Sequence, residues 1–231
     1  QPRAVSPDVE AIRHHYEVGN DFYRLILGPM MMYSGGYWLE GEGDVEAHDV
    51  AQERKLDAFV ELARAEGASR VLDIGCGWGT MMRRLVDVHG VDTAVGLTLS
   101  RTQVAWISSF GNPAVDVRVE SWDAHEPTAP YEAIFIINAL EHFVRSDLPP
   151  REKVKQYRRL FRRCRDMLEP QGRVVIHSMT IDNPPLDRKI LSDLRFLLDE
   201  EFEGCHVPHL DELVGATQGL FEVLEIRNEP D

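Results

Sequence analysis

Asp73 sits within the apolar run Val71-Leu72-Asp73-Ile74, and three glycines follow at two-residue spacing, Gly75, Gly77 and Gly79. Glycine is needed where a chain turns sharply and where a ligand must approach backbone with no Cβ in the way, so this loop reads as a grip on a nucleotide-like group. Spacing narrows the ligand. A dinucleotide fingerprint places its third glycine one residue later, where Thr80 stands, and a P-loop needs a Gly-Lys-Ser/Thr ending that is absent. A second set of residues suits proton handling. Glu141 follows the apolar run Ala133 to Ile137 and then Asn138-Ala139-Leu140, while His177 ends the next apolar run. Both fall at the carboxyl ends of strands, the edge of an α/β sheet where ligands bind. Taken alone, His177 also fits a satisfied core histidine; beside Glu141 it reads as half of a base system.

The elements that position these groups alternate. Strands are expected at Arg70 to Ile74, Thr93 to Leu97, Val115 to Val119, Ala133 to Ile137, Arg173 to Ser178 and Phe221 to Ile226. Helices are expected to start at Thr80 and Ser100, to end near Pro170, and to cover Leu210 to Gln218. This rhythm implies a doubly covered, mostly parallel sheet of Rossmann-like type. Before it, Pro7 to Glu17, Asp21 to Leu27 and Asp44 to Glu66 read as helices, and residues 1–66 are expected to form a helical cap over the cofactor end of the domain 67–231. The rhythm breaks after Ser178 at Asn183-Pro184-Pro185. A helical insert after the fifth strand, Leu186 to Glu201 within 182–209, is expected to wall the substrate side.

With 231 residues, 43% of them hydrophobic and 28% charged, the chain can bury one sizeable core. No apolar stretch approaches the ~20 residues of a membrane span, and the start lacks a basic region followed by an apolar core, so a cytoplasmic protein is expected. The three scattered cysteines, Cys76, Cys164 and Cys205, suggest neither disulfides nor zinc, and no histidine shows metal-ligand spacing. A formal charge of −14 argues against nucleic acid or anionic lipid as partners. The run Arg151 to Arg165 is nevertheless basic, on a helix with an apolar stripe at Val154, Tyr157, Leu160, Phe161 and Cys164. Its outer face reads as solvated surface; the alternative is a dock for a phosphate-bearing carrier or a diphosphate substrate.

The glycine loop behind Asp73 resembles the cofactor loop of class I methyltransferases. His15-Tyr16-Glu17-Val18-Gly19-Asn20-Asp21-Phe22-Tyr23, Tyr33-Ser34, the glycine loop, Gly96-Leu97-Thr98-Leu99-Ser100 with Gln103, and Glu141-His142-Phe143 then follow in one order. Together they resemble the cyclopropane-fatty-acid synthase family, which includes the mycolic acid cyclopropane synthases. The resemblance implies S-adenosylmethionine held by Tyr33 and Ser34 from the cap and by Asp73, Gly75, Gly77, Trp78 and Gly79 from the loop. It adds Thr98 and Gln103 near the ribose, and Trp122 and Asp123 near the adenine, where an aromatic face stacks well. The second strand ends in Thr98, not in the usual Asp or Glu, so neutral groups are expected to grip the ribose.

The resemblance also implies that Glu141 and His177 hold a bicarbonate, in a pocket with Tyr16, Gly35, Asn138 and Met179. Methylating an alkene leaves a carbocation that must lose a proton from the new methyl to close a ring, so the base must lie where water cannot trap the cation. Gly35 stands where the family commonly has Cys, Asn138 where Gly is usual and Met179 where Ile is common, and a late Tyr has no counterpart. These departures leave ring closure or simple methylation open. The expected substrate is a hydrophobic unsaturated lipid-like or isoprenoid/polyketide compound, free or carrier-bound. The alternatives are a natural-product N- or C-methyltransferase and a non-catalytic cofactor-binding module. His142 and the remaining histidines read as structural, and Cys76 as a packing residue.

Overall fold

The most apolar strand segment, Ala133 to Ile137, has to be covered on both faces, and it lies in the body of a parallel sheet. The computed structural model describes residues 19–41, 45–181, 189, 191–192, 196 and 204–228. Tyr16, the expected helix Pro7 to Glu17, Asn183-Pro184-Pro185 and most of the expected insert lie outside the described residues. Two helices, α1 (Asn20–Leu27) and α2 (Val45–Ala63), precede the sheet. There follow β1 (Arg70–Ile74), α3 (Thr80–Asp87), β2 (Thr93–Thr98), α4 (Arg101–Ser108), β3 (Val115–Val119) and β4 (Tyr131–Ile137). A short 3-10 turn (Leu140–His142), α5 (Pro150–Met167), β5 (Leu168–His177) and α6 (Leu210–Thr217) complete the order. The strands run β3-β2-β1-β4-β5, all parallel, with Asp73 of β1 level with Gly96 of β2 and Phe135 of β4.

Strand side chains alternate between two cores. One face, with Val71, Ala133, Phe135 and Val175, is covered by Leu56, Phe59 and Val60 of α2 and by Met81, Met82 and Leu85 of α3. The other, with Leu72, Ile74, Ile134 and Ile136, is covered by Tyr157, Leu160, Phe161 and Cys164 of α5 and Ala216 of α6. The apolar stripe read from the basic run is therefore core. Its arginines tie neighbours together: Arg158 donates to the Ala216 and Gln218 carbonyls, Arg163 to the His125 carbonyl and Arg159 to Asp123.

Two expectations fail. Phe221 to Ile226 is not a strand; it is irregular, with Leu224 63% and Ile226 53% exposed. Its residues have strand propensity, but a strand exists only as a member of a ladder, and no described residue pairs with this segment. β5 also begins earlier than Arg173: Leu168 pairs with Tyr131 before a register shift sets Arg173 beside Ala133. Among the described residues no helix is long and apolar enough to cross a membrane.

Candidate active site

A cleft opens at the carboxyl ends of β1 to β4, beneath the segment Met31 to Ser34. The glycine loop forms its floor. Gly75, Gly77 and Gly79 all take left-handed backbone, at φ 80°, 53° and 77°. A Cβ on Gly75 would lie 2.4 Å from the Ala139 Cβ, and one on Gly79 2.8 Å from Ile107 Cγ1, whereas Gly77 faces open space. Thus Gly75 and Gly79 allow β4 and α4 to close on the loop, and Gly77 leaves backbone bare toward the cleft, which Gly75 and Gly77 line and Gly79 does not. Cys76 packs toward β2, its Sγ 2.9 Å from where a Gly96 Cβ would stand, and burial pushes its thiol well above the ordinary range. It is packing, not a nucleophile.

Asp73 lines the cleft at 2% exposure, and its Oδ1 has no hydrogen-bond partner among the described residues. Burial alone pushes this carboxyl up to about 7. A buried carboxylate oxygen aimed at a cleft beside bare glycine backbone suits a cationic, amine-bearing ligand. At the end of β2, Thr98 Oγ1 donates to Gln103 Oε1 at 2.6 Å and accepts from the Ser100 N–H at 3.2 Å. Beyond β3, Trp122 and Asp123 line the cleft together; Ser121 and Arg159 both donate to Asp123, and the Arg159 guanidinium lies 5.6 Å over the Trp122 ring.

The cap is fastened to this floor. Trp78 Nε1 donates to Asn20 Oδ1 at 2.9 Å, its ring packs 4.6 Å from Tyr23 of α1, and Thr80 donates to the Met30 carbonyl. Lys55 of α2, fully buried, donates to Ser34 Oγ, the Gly35 carbonyl and Gln52 Oε1 at 2.5, 2.7 and 2.6 Å. Tyr33 and Ser34 thereby reach the cleft wall, while Gly35 stands outside it.

The expected base pair is arranged otherwise. Glu141 lies on the 3-10 turn at 4% exposure, with Oε1 accepting from Ser178 Oγ at 2.8 Å and the Met179 N–H at 2.9 Å. Its Oε2 is buried without a partner among the described residues, and burial raises its pKa against the lowering effect of those bonds. His177 points elsewhere, bonding Asn138 Oδ1 through Nδ1 at 2.5 Å and packing on Phe59. His177 and Ser178 are successive residues of an extended chain, so only one of them faces Glu141. Neither Glu141 nor His177 lines the cleft, nor does Met179; Asn138, Ala139, His142 and Phe143 make that wall. Asn138 has φ 44°, which explains Asn at a position where Gly is usual, since both tolerate left-handed backbone. The wall rests on a polar layer: the His206 N–H donates to the Glu141 carbonyl, and Cys205 Sγ meets His142 Nδ1 at 3.1 Å.

Sequence reading missed Lys55, Glu120, His142, Gln156 and Arg159, all fully buried or on the cleft wall. Lys55 had a signal, being flanked by Ala51, Leu56 and Phe59 on the buried face of α2. Glu120 had one as well, following the expected strand Val115 to Val119 at its carboxyl end; Arg159 had none, because tertiary placement alone brings it to the wall.

The match to known proteins spans the chain. Residues 3–228 fit the family model described as mycolic acid cyclopropane synthetase. Cyclopropane mycolic acid synthase 2 of Mycobacterium leprae is 28% identical over 227 residues, covering 91% of this chain and 71% of that protein. Hydroxymycolate synthase MmaA4 of Mycobacterium tuberculosis is 30% identical over 218 residues, covering 89% and 67%. Among solved structures, the cyclopropane synthase MmaA2 from Mycobacterium tuberculosis superposes with a TM-score of 0.77 at 28% identity, over 92% of this chain and 74% of that one. With its parallel five-strand sheet and glycine-floored cleft, the chain belongs to the mycolic acid cyclopropane synthetase family of class I S-adenosylmethionine-dependent methyltransferases.

Proposed function

We propose that the protein transfers a methyl or methylene to a carbon–carbon double bond of a hydrophobic, lipid-like or isoprenoid/polyketide substrate. The observation that carries this reading is a pair of buried carboxylates toward the carboxyl ends of adjacent strands, Asp73 within β1 lining the cleft and Glu141 after β4 behind its wall, each with one oxygen unpartnered among the described residues. Asp73 with the bare backbone of Gly75 and Gly77 fits the amino acid end of S-adenosylmethionine, Thr98 and Gln103 the ribose, and Trp122 with Asp123 the adenine. When bound, that cofactor supplies an electrophilic methyl to the alkene.

The chain's own residues do the rest. Ser178 and the Met179 N–H hold Glu141 by one oxygen, leaving Oε2 to accept a proton, and its raised pKa makes it a better base near neutral pH. Asn138, Ala139 and Phe143 keep water from the cation. Bicarbonate, were it held beside Glu141, would donate its O–H to that carboxylate and supply the base itself, with His177 held by Asn138 on the same sheet edge. Residues 1–66 serve as the cap and 182–209 as the substrate wall in this reading, with a cytoplasmic site of action and a free or carrier-bound substrate.

The test is incubation with methyl-labelled S-adenosylmethionine and a panel of unsaturated acyl, isoprenoid and amine compounds. Label in an alkene-derived product supports the reading. Label in amines alone supports a natural-product N-methyltransferase instead, and cofactor binding with label in no product overturns both.

A further inference from the structure

Thr98 and Gln103 are largely spent on each other. The Thr98 hydroxyl both donates to Gln103 Oε1 and accepts from Ser100, so the end of β2 offers little acceptor strength to a pair of sugar hydroxyls. The neighbouring strand supplies it. Glu120 follows β3 immediately, its N–H donating to the Thr98 carbonyl at 3.0 Å, and its side chain lines the cleft. The carboxylate is anchored from behind: Oε2 lies 2.9 Å from Nδ1 of His125, which is fully buried and whose Nε2 lies 2.8 Å from the hydroxyl of fully buried Tyr131. The consistent assignment is a Tyr131 O–H donating to Nε2 and an Nδ1–H donating to Glu120. One oxygen is thereby fixed, while Oε1 is engaged by no described residue.

We propose that Glu120, held by the His125–Tyr131 relay, accepts the ribose hydroxyls of the cofactor, replacing the acidic residue that β2 lacks. This rests on the cofactor reading above and adds a charged partner to Thr98 and Gln103, where neutral groups alone were expected to grip the ribose. A charged acceptor fixed before binding gives stronger and better oriented bonds than a flexible neutral one. His125 is a positioning residue acting through Glu120.

The test is calorimetric binding of S-adenosylhomocysteine, its 2′-deoxy and 3′-deoxy analogues and its N6-methyl analogue to wild type and Glu120→Gln. Wild type is expected to bind a deoxy analogue about tenfold more weakly than the parent, and the variant to bind the parent about tenfold more weakly. Crucially, the variant is expected to show no further loss on the deoxy analogue, which a general packing defect would not produce. Equal and additive losses overturn the proposal, as does a coupling seen only with the N6-methyl analogue. Thermal melting of both proteins confirms that the variant is folded, and His125→Asn is expected to reproduce part of the coupling loss. If wild type binds no S-adenosylhomocysteine, both the cofactor reading and this proposal fall; if it binds with no coupling, only this proposal does.

Discussion

The two ends of the cleft are built by different means. Past β1, β2 and β3, contacts close in sequence do the work: three left-handed glycines, a Ser100 cap on α4 and the Glu120–His125 pair shape the floor, and Asp73, Thr98 and Trp122 line the cleft directly. Past β4 and β5, contacts between segments distant in sequence do it. Glu141 rides a three-residue turn and takes its orientation from Ser178, the Met179 N–H and the His206 N–H. β5 is, like β3, an outer strand of the sheet, and the segment 221–226 gives it no neighbour among the described residues. Ligand binding is thus encoded locally, and proton handling through distant contacts.

If that contrast is right, lesions at the two ends separate. Glu141→Gln should lower turnover on the order of 10²-fold or more with cofactor affinity nearly unchanged, as calorimetry beside a turnover assay would tell; unchanged turnover would remove Glu141 from the base system. Gly75→Ala should do the reverse, forcing a Cβ to 2.4 Å from Ala139 in left-handed backbone. A loss of about 3 kcal/mol in stability, read by denaturant unfolding, and weaker cofactor binding are expected.

Asp73 sharpens the comparison through pH. Its folded pKa near 7 lies above the ordinary 3.8, so the folded state holds a proton that the unfolded state has lost, and stability falls as pH rises from about 4 to 7. Asp73→Asn should therefore be more stable than wild type at pH 8, by a few kcal/mol in unfolding experiments, yet bind the cofactor about tenfold more weakly. Wild-type affinity should decline as pH drops below about 7, and the variant's should stay flat. The smallest effect belongs to Ser178→Ala. Losing a donor to Glu141 removes a contribution that lowers its pKa, so the acid limb of the pH–rate profile should move upward while turnover falls roughly threefold.

Most of the fold was legible because β1, β2 and β4 announce themselves by buried apolar runs, β3 by its alternating valines, and α5 by its stripe. The segment 221–226 was misread because alternation reports propensity, not the presence of a pairing partner. In the site, the glycine loop and the end of β2 were legible since their chemistry is contiguous in sequence. Arg159 was not, since its place against Trp122 and Asp123 comes from tertiary packing, and Glu120 was passed over although it follows the expected strand Val115 to Val119. The family resemblance implied a pairing of Glu141 with His177; period-two alternation instead turns Ser178 to Glu141 and His177 to Asn138.

The most direct measurement is a crystal structure with S-adenosylhomocysteine bound. The expected result places its amino acid end on Asp73 and the Gly75–Gly77 backbone, its adenosine by Trp122 and Asp123, and Glu141 Oε2 open toward the sulfur. A ligand bound elsewhere, or a Glu141 still sealed behind Ala139 and His142 with no route to the sulfur, would contradict the account.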